Sequence, residues 1–132
     1  MSIQYRIDAI ISAEQLADVF DRSGIRRPTG DKPRIQRMIN AADVIVTAWN
    51  NETLVGVARA ITDFSYCCYL SDLAVDREFQ RQGIGAELVR RVQQLIGEES
   101  MLLLLSAPEA MDYYPKIGMD HMQNAFMFSR KQ

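Results

Sequence analysis

A glycine-bearing turn that leads into an amphipathic helix is the feature that most limits how this chain can fold. From Leu70 to Ile96 the sequence runs LSDLAVDREFQRQGIGAELVRRVQQLI, which predicts a strand, a short loop, a glycine turn and a helix. Ile84, Leu88, Val92, Leu95 and Ile96 recur at the spacing of one buried helix face. Ahead of them stands Gln80-Arg81-Gln82-Gly83-Ile84-Gly85-Ala86. The first turn of a helix leaves several N–H groups without internal partners, and the helix dipole puts partial positive charge there. Two glycines at that point remove the Cβ atoms that would hold a ligand away from those amides. The expected product is an anion site made of backbone, suited to a pyrophosphate.

Two common phosphate loops do not fit. A P-loop needs Gly-Lys-Ser/Thr after the turn, and none follows. The dinucleotide fingerprint needs a third glycine where Leu88 stands, and a tight turn where seven residues separate Val75 from Gly83. Leu73-Ala74-Val75 followed by Gln80-x-x-Gly83-x-Gly85-Ala86 instead resembles the coenzyme A motif of the GNAT superfamily of acyl-CoA-dependent N-acetyltransferases. The likeness is good from Leu54 to Phe128 and rests on pattern alone in the first third. It implies an α/β fold with a central mixed sheet of six to seven strands flanked by about four helices. It also implies acetyl-CoA as co-substrate and leaves a homodimer possible, dimers being common in the family.

With 132 residues, 48% hydrophobic and 24% charged, one compact domain spanning the whole chain is expected. A net charge of −2 creates no field that would favour nucleic acid. The opening MSIQYRID is not a signal peptide, and no apolar run approaches the ~20 residues that span a bilayer. Cys67 and Cys68 are adjacent and would point to opposite faces of a strand, so no disulfide framework follows. One histidine and no Cys/His spacing argue against a structural metal. The plain expectation is a cytoplasmic protein without a membrane partner.

In chain order, Ile3 to Ile11 reads as a strand, and Ser12-Ala13-Glu14-Gln15 as a capping box opening a helix that Gly24 closes. The loop IRRPTGDKP follows, with Pro33 in the first turn of a second helix to about Asn40. Strands are expected over Asp43–Trp49, Leu54–Asp63 and Tyr66–Val75, with a hairpin at Asn50-Asn51-Glu52. Gly56 marks a bulge or a close backbone approach. After the glycine-turn helix come a strand at Met101–Ser106, parallel to its predecessor, and a short helix at about Glu109–Tyr114 ended by Pro115. A last strand is expected at Met122–Ser129, with Arg130-Lys131-Gln132 as a tail.

Acyl transfer from a thioester to an amine must hold the donor, take a proton from the amine and give one to the leaving thiolate. The resemblance gives holding to the amides from Gln82 to Ala86, with Ile84 and Gly85 among them and Arg81 beside a phosphate. Backbone at Leu73, Ala74 and Val75 would run along the pantetheine like a partner strand, with an N–H there polarising the thioester carbonyl. Tyr113-Tyr114-Pro115-Lys116-Ile117-Gly118-Met119 is similar to the family's Phe-Tyr-x-Lys-Leu-Gly-Phe segment, and Tyr114 falls on its general acid. A phenol near pKa ~10 can reprotonate a thiolate whose acid is near ~8.5. The bland alternative, a core tyrosine with a satisfied hydroxyl, suits Tyr113.

Two positions depart from the family's pattern. Ala107 stands where an asparagine often contacts the coenzyme. Ser71 stands where some members carry a basic glutamate. Asp72 beside it could act as base through a water, although a strand carboxylate at a sheet edge is more often simply solvated, and His121 is the other titratable group near neutral pH. Arg26 and Arg27 are either a solvated connector or a lip over the acceptor cleft, where the resemblance puts this segment. The acceptor would be a primary amine of a small molecule or peptide. A non-catalytic acyl-CoA-binding domain on the same scaffold is the alternative; it would keep Gly83 and Gly85 but need no Tyr114.

Overall fold

The computed structural model describes residues 2–131; Met1 and Gln132, the first residue of the opening segment and the last of the expected tail, lie outside them. A five-stranded sheet forms in the order β1 (Gln4–Arg6), β2 (Val44–Asn50), β3 (Thr53–Thr62), β4 (Cys67–Val75) and β5 (Met101–Leu103). Neighbours are antiparallel except β4 and β5, which run parallel as the crossover between them requires. Four helices accompany it: α1 (Ala13–Ser23), α2 (Lys32–Ala41), α3 (Ile84–Ile96) and α4 (Tyr113–Lys116).

Local chemistry explains the ends of these elements. The Ser12 hydroxyl accepts from the Gln15 amide at 3.0 Å while the Gln15 side chain accepts from the Ser12 amide at 2.9 Å, the reciprocal capping box. Gly24 ends α1 at φ 86°, and the Arg77 guanidinium packs where its Cβ would stand. Asn51 takes φ 55° in the β2–β3 hairpin.

The sheet separates two cores. On one face α3 packs Ile84, Leu88, Val89, Val92 and Ile96 against Val46, Ala58, Ala60 and Leu70. Gly56 permits this approach, because a Cβ there would meet Leu88 Cδ1 at 3.2 Å and Ala48 Cβ at 3.3 Å. A register shift between Ala48 and Trp49 sits opposite it, so the glycine marks both a close approach and a bulge. On the other face α1 and α2 bury Leu16, Val19, Phe20 and Ile35 against Trp49, Val57 and Ala74. A second bulge falls in β4, where Asp72 pairs with Arg59 but Leu70 pairs with Ala60, leaving Ser71 as the extra residue.

Three expectations are corrected. The sheet has five strands where six to seven were expected, because residues 122–129 form no strand. Their apolar residues alternate as in a strand, yet among the described residues they do not pair with the open edge of β5. The first and last strands are only three residues each, shorter than the Ile3–Ile11 and Met101–Ser106 expectations. The helix expected over Glu109–Tyr114 is a 3₁₀ turn at Pro108–Ala110 followed by α4, and Pro115 lies inside α4 near its start, where a proline's missing N–H breaks no helical bond.

Candidate active site

The entry to α3 is built by unusual backbone. Arg81 has φ 66° and Gly83, the N-cap, φ 83°. A Cβ on Gly83 would meet nothing within 4 Å, so this glycine is required by conformation and not by space. Gly85 differs. It is buried, and a Cβ there would stand 2.8 Å from the Tyr113 hydroxyl. The Ala86 amide favours the ionised form of that phenol. The phenol oxygen thus stands against the first turn of α3, and it comes from the tyrosine expected to be a core residue. Burial pushes the Tyr113 phenol up despite this amide.

Other loop residues divide into braces and exposed groups. The Gln80 side chain donates to the Val75 carbonyl at 2.8 Å and ties the loop to the end of β4. Arg81 and Gln82 are exposed, Ile84 is core, and Ala86 is half-buried. Asp76, buried at the end of β4, accepts from the Glu78 amide at 2.9 Å and forms an ion pair with Arg22 of α1. Arg22 also donates to the Leu54 carbonyl at 2.7 Å, so α1 is pinned to the strand end that starts the loop.

β4 offers an open edge beside this turn. β5 pairs only with Cys67 to Tyr69, and past the Ser71 bulge the stretch Leu73-Ala74-Val75 pairs with β3 alone among the described residues. Backbone groups on its other side are free to meet an extended ligand. Tyr114 stacks edge-to-face on Tyr113 with ring centroids 5.3 Å apart. Burial, then the neighbouring Tyr113, pushes the Tyr114 phenol above its ordinary value, so it carries its proton at neutral pH.

Asp72 is not a solvated edge carboxylate. It is fully buried, and its two oxygens accept from Arg27 Nε at 2.5 Å and from Arg59 Nε. Arg27 also donates to the Ser71 and Arg26 carbonyls at 2.8 and 2.6 Å, and Arg59 to the Ser71 hydroxyl at 3.1 Å. A carboxylate closed off between two guanidinium groups anchors them and is not placed to collect an amine proton. The two loop arginines therefore part. Arg27 is a strut from the α1–α2 loop to β4, whereas Arg26 is exposed. Sequence reasoning missed Arg59, although one arginine inside the apolar run Leu54–Ile61 signals a buried partner. It had no means of foreseeing the Tyr113 contact with Gly85.

No group of three or more histidine, cysteine or acidic side chains among the described residues could hold a metal. No helix among them is long and apolar enough to cross a membrane.

The sequence model of the acetyltransferase (GNAT) family matches residues 12–119. The chain is 29% identical over 69 residues to the chloroplastic GCN5-related N-acetyltransferase 2 of Arabidopsis thaliana, covering 51% of this chain and 27% of that protein. It is 23% identical over 122 residues to the uncharacterized N-acetyltransferase ycf52 of Gracilaria tenuistipitata var. liui, covering 89% and 67%. The chain therefore spans about a quarter of the length of the first relative and two thirds of the second. A GNAT family acetyltransferase from Streptococcus pneumoniae shares its fold at TM-score 0.82 with 18% identity, covering 99% and 100% of the two chains. The aminoglycoside N-acetyltransferase AAC(6')-Iy, solved in complex with CoA, does so at TM-score 0.74 with 13% identity, covering 99% and 96%. The mixed sheet, the left-handed entry to α3 and the match over most of the chain lead to one conclusion: this chain belongs to the GNAT acetyltransferase family.

Proposed function

We propose that this protein transfers an acetyl group from acetyl-CoA to a primary amine of a small molecule or peptide in one direct step. The observation that carries the reading is the left-handed entry to α3 standing beside the uncovered edge of β4. Amides from Gln82 to Ala86 would take the pyrophosphate, and the left-handed Gly83 at the head of α3 supports this reading. Backbone at Leu73 to Val75 would hold the pantetheine and turn an N–H toward the thioester carbonyl. A family member of the same fold that binds CoA supports this coenzyme.

In the reaction the amine nitrogen attacks the thioester carbon, the C–S bond breaks, the amine gives up one proton and the thiolate gains one. Tyr114 supplies the latter, since its buried phenol keeps its proton at neutral pH. The amine proton goes to water, because Asp72 is committed to its arginines. Arg26, exposed on the α1–α2 loop that the family resemblance puts beside the acceptor, would favour amines that also carry a carboxylate. Calorimetric titration with acetyl-CoA, followed by thiol release with a panel of aminoglycosides, polyamines, amino acids and peptides, tests the reading. Saturable binding and amine-dependent thiol release are expected. Binding without release for every amine would leave a coenzyme-binding domain, and no binding would remove the reading altogether.

A further inference from the structure

Charge is unevenly spread along this chain, and positive charge gathers on one segment. Residues 24–41, the α1–α2 loop and α2, carry Arg26, Arg27, Lys32, Arg34 and Arg37 against the single acid Asp31, in a chain whose net charge is −2. Arg27 is committed to Asp72, but Arg26, Lys32, Arg34 and Arg37 meet no carboxylate within ion-pair distance among the described residues. The acids nearest in sequence are engaged elsewhere. Asp31 caps α2 by accepting from the Arg34 amide at 3.1 Å, and Asp21 accepts from the Thr29 hydroxyl at 2.8 Å. Arg26 and Arg37 are exposed and Arg34 is half-buried. Cations gathered this densely repel one another, so an anion brought among them is favoured.

The segment is braced, and it is braced against the reacting end of the site. Within the loop the Thr29 amide donates to the Arg27 carbonyl at 2.8 Å and the Asp31 amide to the Pro28 carbonyl at 3.0 Å. Lys32 Nζ donates to the Thr29 carbonyl at 2.6 Å. Arg27 ties the loop to the Ser71 carbonyl and to Asp72. Arg59 of β3 donates to the Met38 carbonyl of α2 at 3.4 Å and pairs with the same carboxylate. With the pyrophosphate at the entry to α3, beyond Val75, a coenzyme lying along Leu73–Val75 brings its thioester end to Leu73. Ser71 and Asp72 are the next residues along that strand. The acceptor amine therefore meets the thioester beside the basic segment.

We propose that the acceptor is the α-amino group of an acidic peptide, its carboxylates lying along Arg26, Arg34 and Arg37; the inference rests on the transferase reading above. Two separate observations select it. Unpaired cations spread over a loop and a turn of helix exceed what one carboxylate can occupy, and they oppose polyamines, aminoglycosides and basic peptides. The amine also has no carboxylate base beside it, because Asp72 is closed between Arg27 and Arg59. An α-amine near pKa ~8 is about one-tenth neutral at pH 7, whereas a lysine side chain near ~10.4 is neutral in under about one part in a thousand. The peptide's ammonium sheds one proton to water on the way in. The neutral nitrogen then bonds the thioester carbon as the C–S bond breaks, and the second proton it releases balances the one the thiolate takes from Tyr114.

Thiol release from acetyl-CoA tests this with tetrapeptides that carry a free α-amine followed by three glutamates, three serines or three arginines. The wild type is expected to use the glutamate peptide best and the arginine peptide least, with kcat/KM differing by about tenfold or more. The ratio should shrink as salt shortens the screening length from about 10 Å at 0.1 M to about 3 Å at 1 M. Arg34→Glu/Arg37→Glu should invert the order while KM for acetyl-CoA holds, and Arg26→Glu on the loop should narrow it. An acid in the first turn of α2 suits the helix dipole, and circular dichroism establishes that each variant is folded. A peptide with a blocked α-amine and one lysine should release thiol about a hundredfold more slowly than the serine peptide. A wild type that uses the three peptides equally, or prefers arginine, would overturn the acidic acceptor and leave the transferase reading standing, as would folded variants that keep the wild-type order. Equal use of the blocked peptide would overturn the α-amine. No release with any peptide or other amine would remove the transferase reading and this inference together.

Discussion

The Tyr113 hydroxyl stands 2.8 Å from the point that a Cβ on Gly85 would occupy. Gly85 is thus held to glycine by a side chain of the same protein. Gly83 is held by its left-handed φ instead. Glycines two residues apart in one motif answer to different causes.

Gly85→Ala should force the Tyr113 ring out of place and cost about 1–3 kcal/mol by overpacking. Adding Tyr113→Phe removes the atom in conflict, so the double variant should recover most of that loss in a denaturant titration. Gly83→Ala should cost about 1–2 kcal/mol through backbone strain, and Tyr113→Phe should not rescue it. Equal rescue of both glycine variants would refute the distinction.

Asp72→Asn leaves the buried Arg59 without its counter-charge, and loss of one partner of a buried pair costs about 3–5 kcal/mol. Arg27→Ala should cost less, because that side chain is a quarter exposed. The folded fraction of Asp72→Asn should not show the ~10²–10⁴-fold fall in kcat that follows loss of a general base. Such a fall in protein shown by calorimetry to be folded would restore Asp72 to the chemistry.

Arg26→Ala should raise KM for a carboxylate-bearing acceptor while leaving KM for acetyl-CoA and the melting temperature near wild type. Arg26 is exposed, and Arg27 alone struts the loop. A shift in the coenzyme constant in place of the acceptor constant would assign Arg26 to the other substrate.

In α3 the Arg90 guanidinium bound to Glu87, with Arg91 beside it, holds that carboxyl at about 2, below its usual 4.5. A depressed folded pKa gives stability that is present above 4.5 and lost as pH falls toward 2. Glu87→Gln should therefore be less stable than wild type at pH 7, by under ~1 kcal/mol because the group is partly solvated, with the gap closing by about pH 2. A gap independent of pH would show that the pairs contribute nothing.

Much of this was legible from the chain because the signals were local. The capping box at Ser12 and Gln15, the left-handed closure at Gly24 and the helix face from Ile84 to Ile96 each depend on residues within a few positions. The parts that were not legible are long-range. Residues 122–129 alternate as a strand does, but a strand exists only where an edge receives it, and pattern does not tell whether the segment reaches the open edge of β5. Asp72 resembles an edge carboxylate until Arg27 and Arg59, from 45 and 13 positions away, close over it. Tyr113 is indistinguishable from a core aromatic until α4 lays its hydroxyl on Gly85.

The central claim is that this domain moves acetyl groups with Tyr114 as the proton donor, and thiol release from acetyl-CoA by wild type and Tyr114→Phe tests it most directly. The substitution removes one oxygen and keeps the ring stacked on Tyr113, so folding and coenzyme affinity should be preserved. The account predicts amine-dependent release in the wild type and a loss of about 10²–10⁴-fold in the variant, equal in kcat and kcat/KM, with Tyr113→Phe retaining most activity. Wild-type turnover in Tyr114→Phe, or no amine-dependent release from wild type with any acceptor, would contradict it.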